Sequence, residues 1–120
     1  MIVAVPKEVY PGEKRIALIS QTLPSLIKAG LQVIIEAGAG EGINSKDADF
    51  EAQGAKVEQD RHRLLSGADI VLMVRGPGSD PDFPAADLDA LKEGTTLISF
   101  TEPLAQPEIM KELAERKLTV

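Results

Sequence analysis

The chain has 120 residues, 43% of them hydrophobic, 27% charged and 3% aromatic, with a formal net charge of −6; these are the proportions of one globular domain with room for a single core. The acidic balance, the absence of any Lys/Arg run longer than two and the scarcity of aromatic rings exclude nucleic acid as a partner. With no cysteine there are no disulfides or thiolate metal sites, and no apolar run approaches the ~20 residues that span a bilayer.

Taken in chain order, Ile2–Val5 is a short apolar strand running into Pro6-Lys7-Glu8. Pro6 and Lys7 arrive too early for a signal-peptide core, so nothing marks the chain for export. A Pro11-Gly12 turn leads through Glu13-Lys14-Arg15 to a second apolar run, Ile16-Ala17-Leu18. Ser20 is placed to cap a helix reaching Lys28, with Leu23, Leu26 and Ile27 on one face and Gly30 as its stop. Pro24 falls near the first turn of that helix, where it costs least. Val33–Glu36 is the second strand, followed by Gly38-Ala39-Gly40-Glu41-Gly42. Ser45 then caps a short helix over Asp47–Gln53 with two carboxylates in its first turn and Gly54 beyond it. Lys56–Glu58 is a strand, Asp60–Leu65 a short helix ending at Gly67, and Ile70–Val74 a buried strand. The Gly- and Pro-rich segment Gly76–Pro84 reads as a surface loop. Ala86–Lys92 is a helix followed by Gly94, and Thr96–Phe100 a strand. Pro107–Arg116 carries the clearest helix signal, with proline at the first position and Ile109, Met110 and Leu113 at helical spacing. Leu118–Val120 closes the chain as an apparent strand. Such alternation predicts an α/β fold: a doubly wound, mostly parallel, Rossmann-like or flavodoxin-like sheet with helices on both faces. A doubly wound chain that stops just after a strand reads as part of a longer one.

Three constellations bear on chemistry. The glycines at 38, 40 and 42 follow a strand and precede a helix, as a dinucleotide fingerprint does, but the position for its third glycine is Ile43 and the helix starts several residues late. Glycines that give a tight connection its positive φ angles are the stronger reading. Lys7, Glu8, Glu13 and Arg15 lie beyond the first strand, at the carboxyl edge where open α/β sheets gather ligands; Arg15 can hold a carboxylate or phosphate in bidentate fashion. The competing reading is a solvated loop closed by ion pairs such as Glu13–Arg15. Arg75, after the fourth strand, can join Arg15 around an anion or can simply end the strand. Glu102, in Thr101-Glu102-Pro103, is a base candidate or a strand end. His62, the only histidine, lies in a polar stretch and is expected to be exposed, so a transition-metal site has no ligand set. Hydrolase elbows and P-loops are absent.

Together these segments resemble a known family. Val3-Ala4-Val5-Pro6-Lys7-Glu8 and Pro11-Gly12-Glu13-Lys14-Arg15-Ile16-Ala17-Leu18 are similar to the opening of alanine dehydrogenases and of the alpha subunit of proton-translocating NAD(P) transhydrogenase. Glu36–Gly42, Phe50–Ala55, Ala68–Val74 and Gly94–Phe100 follow in the same order. The resemblance implies that alanine dehydrogenases place a substrate-binding lysine after the fourth strand and a catalytic histidine after the fifth. This chain has Arg75 and Glu102 there, and its ending, Pro107–Val120, is similar to the transhydrogenase version. Hydride passing directly between two nicotinamides needs no proton-transfer residue. The resemblance therefore implies residues 1–120 to be the N-terminal α/β domain of the transhydrogenase alpha subunit, part of a longer two-domain subunit.

Several expectations follow from that resemblance. The 120 residues hold no catalytic and no cofactor-binding residue of their own, NAD being bound mainly by a second domain. Arg15, Arg75, Lys7, Glu13 and Glu102 line the cleft. The partners are the membrane and NADP-binding subunits, with a homodimer in the full subunit. The location is cytoplasmic, peripheral to the inner membrane through those partners and without direct insertion. The alternatives are an alanine- or saccharopine-dehydrogenase-like oxidoreductase and a non-catalytic α/β assembly domain.

Overall fold

A computed structural model describes all 120 residues. Its frame is a five-stranded parallel sheet of β1 (Ile2–Val5), β2 (Gln32–Glu36), β3 (Lys56–Glu58), β4 (Ile70–Arg75) and β5 (Thr96–Phe100), in the order β3-β2-β1-β4-β5. Five helices join or follow the strands: α1 (Leu23–Lys28), α2 (Asp47–Ala52), α3 (Arg61–Ser66), α4 (Ala85–Ala90) and α5 (Pro107–Glu115). No helix is long and apolar enough to cross a membrane.

Period-two side chains divide the core between the two faces. Val3 pairs with Val33 and Ile70, and Val5 with Ile35. These pack under Leu23 of α1 and Phe50 of α2, with Leu18 from the loop after β1. Ala4, Val71 and Leu97 point the other way, onto Leu64 and Leu65 of α3 and Ala90 of α4. The aliphatic runs of β1 and β2 therefore form strands with both faces packed against the core, as parallel sheets require. The chain steps from β1 toward β3 in one direction and resumes at β4 on β1's other side. Between the carboxyl ends of β1 and β4 this reversal leaves a crevice, the position where such sheets place ligands.

The predicted architecture stands, with local corrections. β2 begins at Gln32 and β4 runs on through Arg75, so Arg75 ends its strand rather than following it. Leu118–Val120 is not a strand; only Thr119 pairs, in a single bridge to Thr96. The helix expected from Ser20 opens as a 3-10 turn over Ser20–Thr22 without a side-chain cap, and Ile27 is 37% exposed rather than core. Lys46, not Ser45, stands at the cap of α2, where its N–H donates to Asp49 at 2.7 Å. Asp60 caps α3, accepting from the Arg63 N–H at 3.0 Å, and so lies outside the helix. α4 is Ala85–Ala90 and α5 ends at Glu115. The segment Gly76–Asp80 is buried, not a surface loop. Gly76 lies against Ser99 and Gly78 against the Thr101 carbonyl, so both need to lack a side chain.

Candidate functional site at the switch point

The β1–β4 ladder holds only Val3 with Ile70 and Ala4 with Val71; beyond it the strands part. The Glu8 carboxylate fills the gap. It accepts from the N–H groups of Val74 and of Arg75, the latter at 3.0 Å, doing with a side chain what β1's backbone no longer does. Burial pushes its carboxyl above the usual range and outweighs the backbone donors that favour the charged form.

Glu13 is the centre of the charged group. The Tyr10 carbonyl accepts the Glu13 N–H at 3.0 Å and closes the turn; Gly12 takes φ +83° within it, a conformation suited to glycine. The Glu13 carboxylate, only 6% exposed, accepts from Arg15 Nε at 2.7 Å and Nη2 at 2.8 Å. Arg75 Nε reaches the same carboxylate at 3.1 Å. Hydrogen bonding to Arg15 above all holds the Glu13 carboxyl down at about 2. The Arg75 guanidinium also lies 4.5 Å from the centre of the Tyr10 ring, within cation–π range. Arg15 keeps 60% of its side chain exposed and borders an apolar groove of about 480 Å³ with Ile16, Leu72, Ile98 and Phe100.

Glu8, Glu13, Arg15 and Arg75 are thus brought together, and the Glu13–Arg15 pair legible in the sequence is present. Lys7 is not in the group: its Nζ turns to Glu41 at 2.8 Å. Glu102 is exposed at a turn with φ +43°. His62 is exposed, as read from the sequence. Sequence reasoning missed the buried network behind the site. Arg61, from the first turn of α3, forks onto Asp87 of α4 at 2.8 and 3.0 Å. It also reaches Glu36 at 2.6 Å and the Lys7 carbonyl at 2.8 Å. Tyr10 was missed as well. Only the placement of Asp87 on the inner face of α4, one residue before buried Leu88, gave any local sign of it.

The Gly38–Gly42 segment does not fit a dinucleotide pyrophosphate. The Gly38 N–H donates to Asp47 at 2.9 Å, that of Ala39 to Glu36 and that of Glu41 to Gly38. The next helix opens on Asp47 and Asp49, which repel an anion. Only Gly38 has a positive φ, +79°. Gly42 is required because the Lys14 backbone passes against it, and Gly40 because Ser45 and Phe50 do, which corrects the reading that all the glycines serve positive φ. No group of three or more His, Cys, Asp or Glu side chains is arranged to hold a metal.

Residues 4–120 match the family model described as alanine dehydrogenase/PNT, N-terminal domain. The chain belongs to this family. It is 36% identical over 119 residues to an alanine dehydrogenase of Halomonas elongata, covering 99% of this chain and 30% of that protein. It is 34% identical over 120 residues to the NAD(P) transhydrogenase subunit alpha of Cereibacter sphaeroides, covering all of this chain and 22% of that protein. The crystal structure of transhydrogenase from Sinorhizobium meliloti superposes with a TM-score of 0.87 at 30% identity, over 98% of this chain and 33% of that one. An L-alanine dehydrogenase structure gives the same TM-score at 27% identity. The chain thus spans less than a third of the curated relatives' length. Both branches of the family are oxidoreductases, and they share this sheet.

Proposed function

We propose that the chain is the N-terminal domain of the alpha subunit of a proton-translocating NAD(P) transhydrogenase, whose assembly transfers hydride from NADH to NADP⁺. The observation that carries this reading is the engagement of Arg75. Its guanidinium is tied to Glu13 and stacked on Tyr10, at the place where the amino-acid-oxidising branch is expected to offer a lysine to its substrate. Glu102, at the place of that branch's histidine, is exposed and faces no partner of the site. In this reading the domain is one wall of a nicotinamide cleft, with Arg15, Arg75 and Glu13 at its edge and Lys7 and Glu102 further out. The dinucleotide is held mainly by a second domain in this reading, which the poor fit of the Gly38–Gly42 loop to a pyrophosphate supports. The membrane and NADP-binding subunits are the partners, and the full subunit is a peripheral, cytoplasmic homodimer.

The second reading, an alanine dehydrogenase, is favoured by the 36% identity to the Halomonas protein. Two assays of the full-length protein decide between them. One follows hydride passing from NADH to an oxidised nicotinamide analogue in the presence of the partner subunits. The other follows NADH consumption with pyruvate and ammonium. Transfer between nicotinamides with no turnover of pyruvate is the expected result; turnover of pyruvate and ammonium overturns the proposal.

A further inference from the structure

Past its last ladder pair, Val5 with Ile35, β1 runs into Pro6, which is buried and has no N–H to carry the ladder on. The next residue is held by side chains instead. The Lys7 N–H donates to the Glu36 carboxylate at 2.6 Å, and the Lys7 carbonyl accepts from Arg61 Nη1 at 2.8 Å. The same Nη1 donates to Glu36 at 2.6 Å, so one carboxylate and one guanidinium grip both backbone groups of Lys7. Glu8 follows directly, and its carboxylate takes the N–H groups of Val74 and Arg75. Whatever fixes Lys7 therefore fixes the reach of Glu8 to the end of β4, and with it the root of the Arg75 side chain.

Stability alone does not account for this arrangement. The fork of Arg61 on Asp87 joins α3 to α4 by itself. Glu36 adds nothing to that joint and sets a second, largely buried carboxylate against a single guanidinium, which leaves one negative charge in excess. Replacing a buried ionic group by apolar side chains of similar volume is often neutral or stabilising, so an excess buried charge calls for a role other than stability. What the second carboxylate does here is hold Lys7.

We propose that Arg61, with Glu36, is a positioning residue of the crevice, acting through Lys7 and Glu8 to set where the end of β4 and Arg75 stand as a wall for hydride transfer. This role presupposes the reading of the domain as one wall of a nicotinamide cleft. Because that reading gives the dinucleotide mainly to a second domain, a displaced wall lowers kcat and leaves the KM for NADH nearly as it was.

Position is separated from stability in the full-length subunit assayed with its partner subunits. In the double variant Arg61→Met, Asp87→Leu the joint of α3 and α4 becomes apolar and the urea midpoint recovers relative to Arg61→Ala, but nothing grips the Lys7 carbonyl. Residue-resolved amide exchange is expected to be at least ~10-fold faster at Val74 and Arg75 through local opening, with Val33 and Ile35 of β2 unchanged. The kcat for hydride passing between nicotinamides is expected to fall ~10-fold with KM for NADH within about twofold, because a small misplacement made far from the reacting atoms carries into the rate. A second variant, Arg61→Lys, keeps a cation between the carboxylates and reports even where the double variant folds poorly. Its ammonium does not span Asp87 and the Lys7 carbonyl together, so the same two changes are expected. Exchange at Val74 and Arg75 at the wild-type rate, or fast exchange with kcat unchanged, overturns the positioning role. Exchange is read without turnover and so stands apart from the proposed function. A subunit that reduces pyruvate with ammonium instead of passing hydride between nicotinamides overturns that function, and slowed pyruvate turnover in the same variants leaves the positioning role.

Discussion

Glu8 and Glu13 belong to one loop, yet their surroundings move them in opposite directions. Glu13 is gripped by Arg15 and Arg75 and held at about 2. It contributes stability that is fully present above the ordinary carboxylate pKa and is lost as pH falls toward 2. Glu8 is raised by burial, so the folded chain keeps that proton longer than the unfolded one. Ionising Glu8 therefore costs stability as pH rises from the ordinary value to the raised one. Carbonyl-detected NMR of protein labelled with ¹³C-glutamate is expected to show Glu13 titrating near 2 and Glu8 above the usual carboxylate range. Glu8→Ala leaves the Val74 and Arg75 N–H groups without their acceptor and is expected to cost about 2 kcal/mol in urea unfolding. Glu8→Gln, which keeps one acceptor oxygen, is expected to restore part of that loss. The Glu13–Arg15 pair was legible because its members are two residues apart. The Glu8 contact joins positions 66 and 67 residues apart, and no local pattern announces it.

Apart from the expected strand at Leu118–Val120, where only Thr119 pairs, strands and helices were legible to within a few residues, because each buries an apolar face whose period shows in the sequence. What failed was chemistry that depends on a neighbouring element. Arg61 ties α3 to α4 and to the ends of β1 and β2 through Asp87, Glu36 and the Lys7 carbonyl. Removing it strands two carboxylates, with side chains 9% and 14% exposed. Arg61→Ala is therefore expected to destabilise by about 3 kcal/mol or more, read from the urea midpoint. The paired variant Arg61→Met with Asp87→Leu is expected to recover part of it. At the connection after β2, Gly42→Ala drives a methyl group into the Lys14 backbone and is expected to cost about 1–3 kcal/mol. Gly12→Ala meets no neighbouring atom, but strains a φ of +83° and is expected to cost about 1 kcal/mol. The loop Gly76–Asp80 was misread for the same reason as Arg61. Its glycines and prolines fit a solvated turn equally well, and only the packing of β5 against it draws it inside.

For the whole molecule, the face of β5 that carries Ile98 and Phe100 is uncovered, the two being 57% and 65% exposed, and this has a measurable consequence. The 120-residue chain, presenting Ile98 and Phe100 to water, is expected to bind a hydrophobic dye and to self-associate in light scattering. The double variant Ile98→Ser, Phe100→Ser is expected to reduce both while changing stability by no more than about 0.5 kcal/mol, since neither side chain is in the core. Sequence alone determined the fold class, the family and the order of strands and helices, because hydrophobic periodicity and turn residues are local records of burial. Tertiary structure alone decided that Lys7 leaves the charged group, that Glu13 binds two arginines at once and that Glu8 substitutes for a missing stretch of ladder. It also decided that one quarter of the sheet stays bare. Each of these depends on which strands become neighbours and on the hand of their crossovers, and both are set by the packing of distant segments rather than by any run of residues.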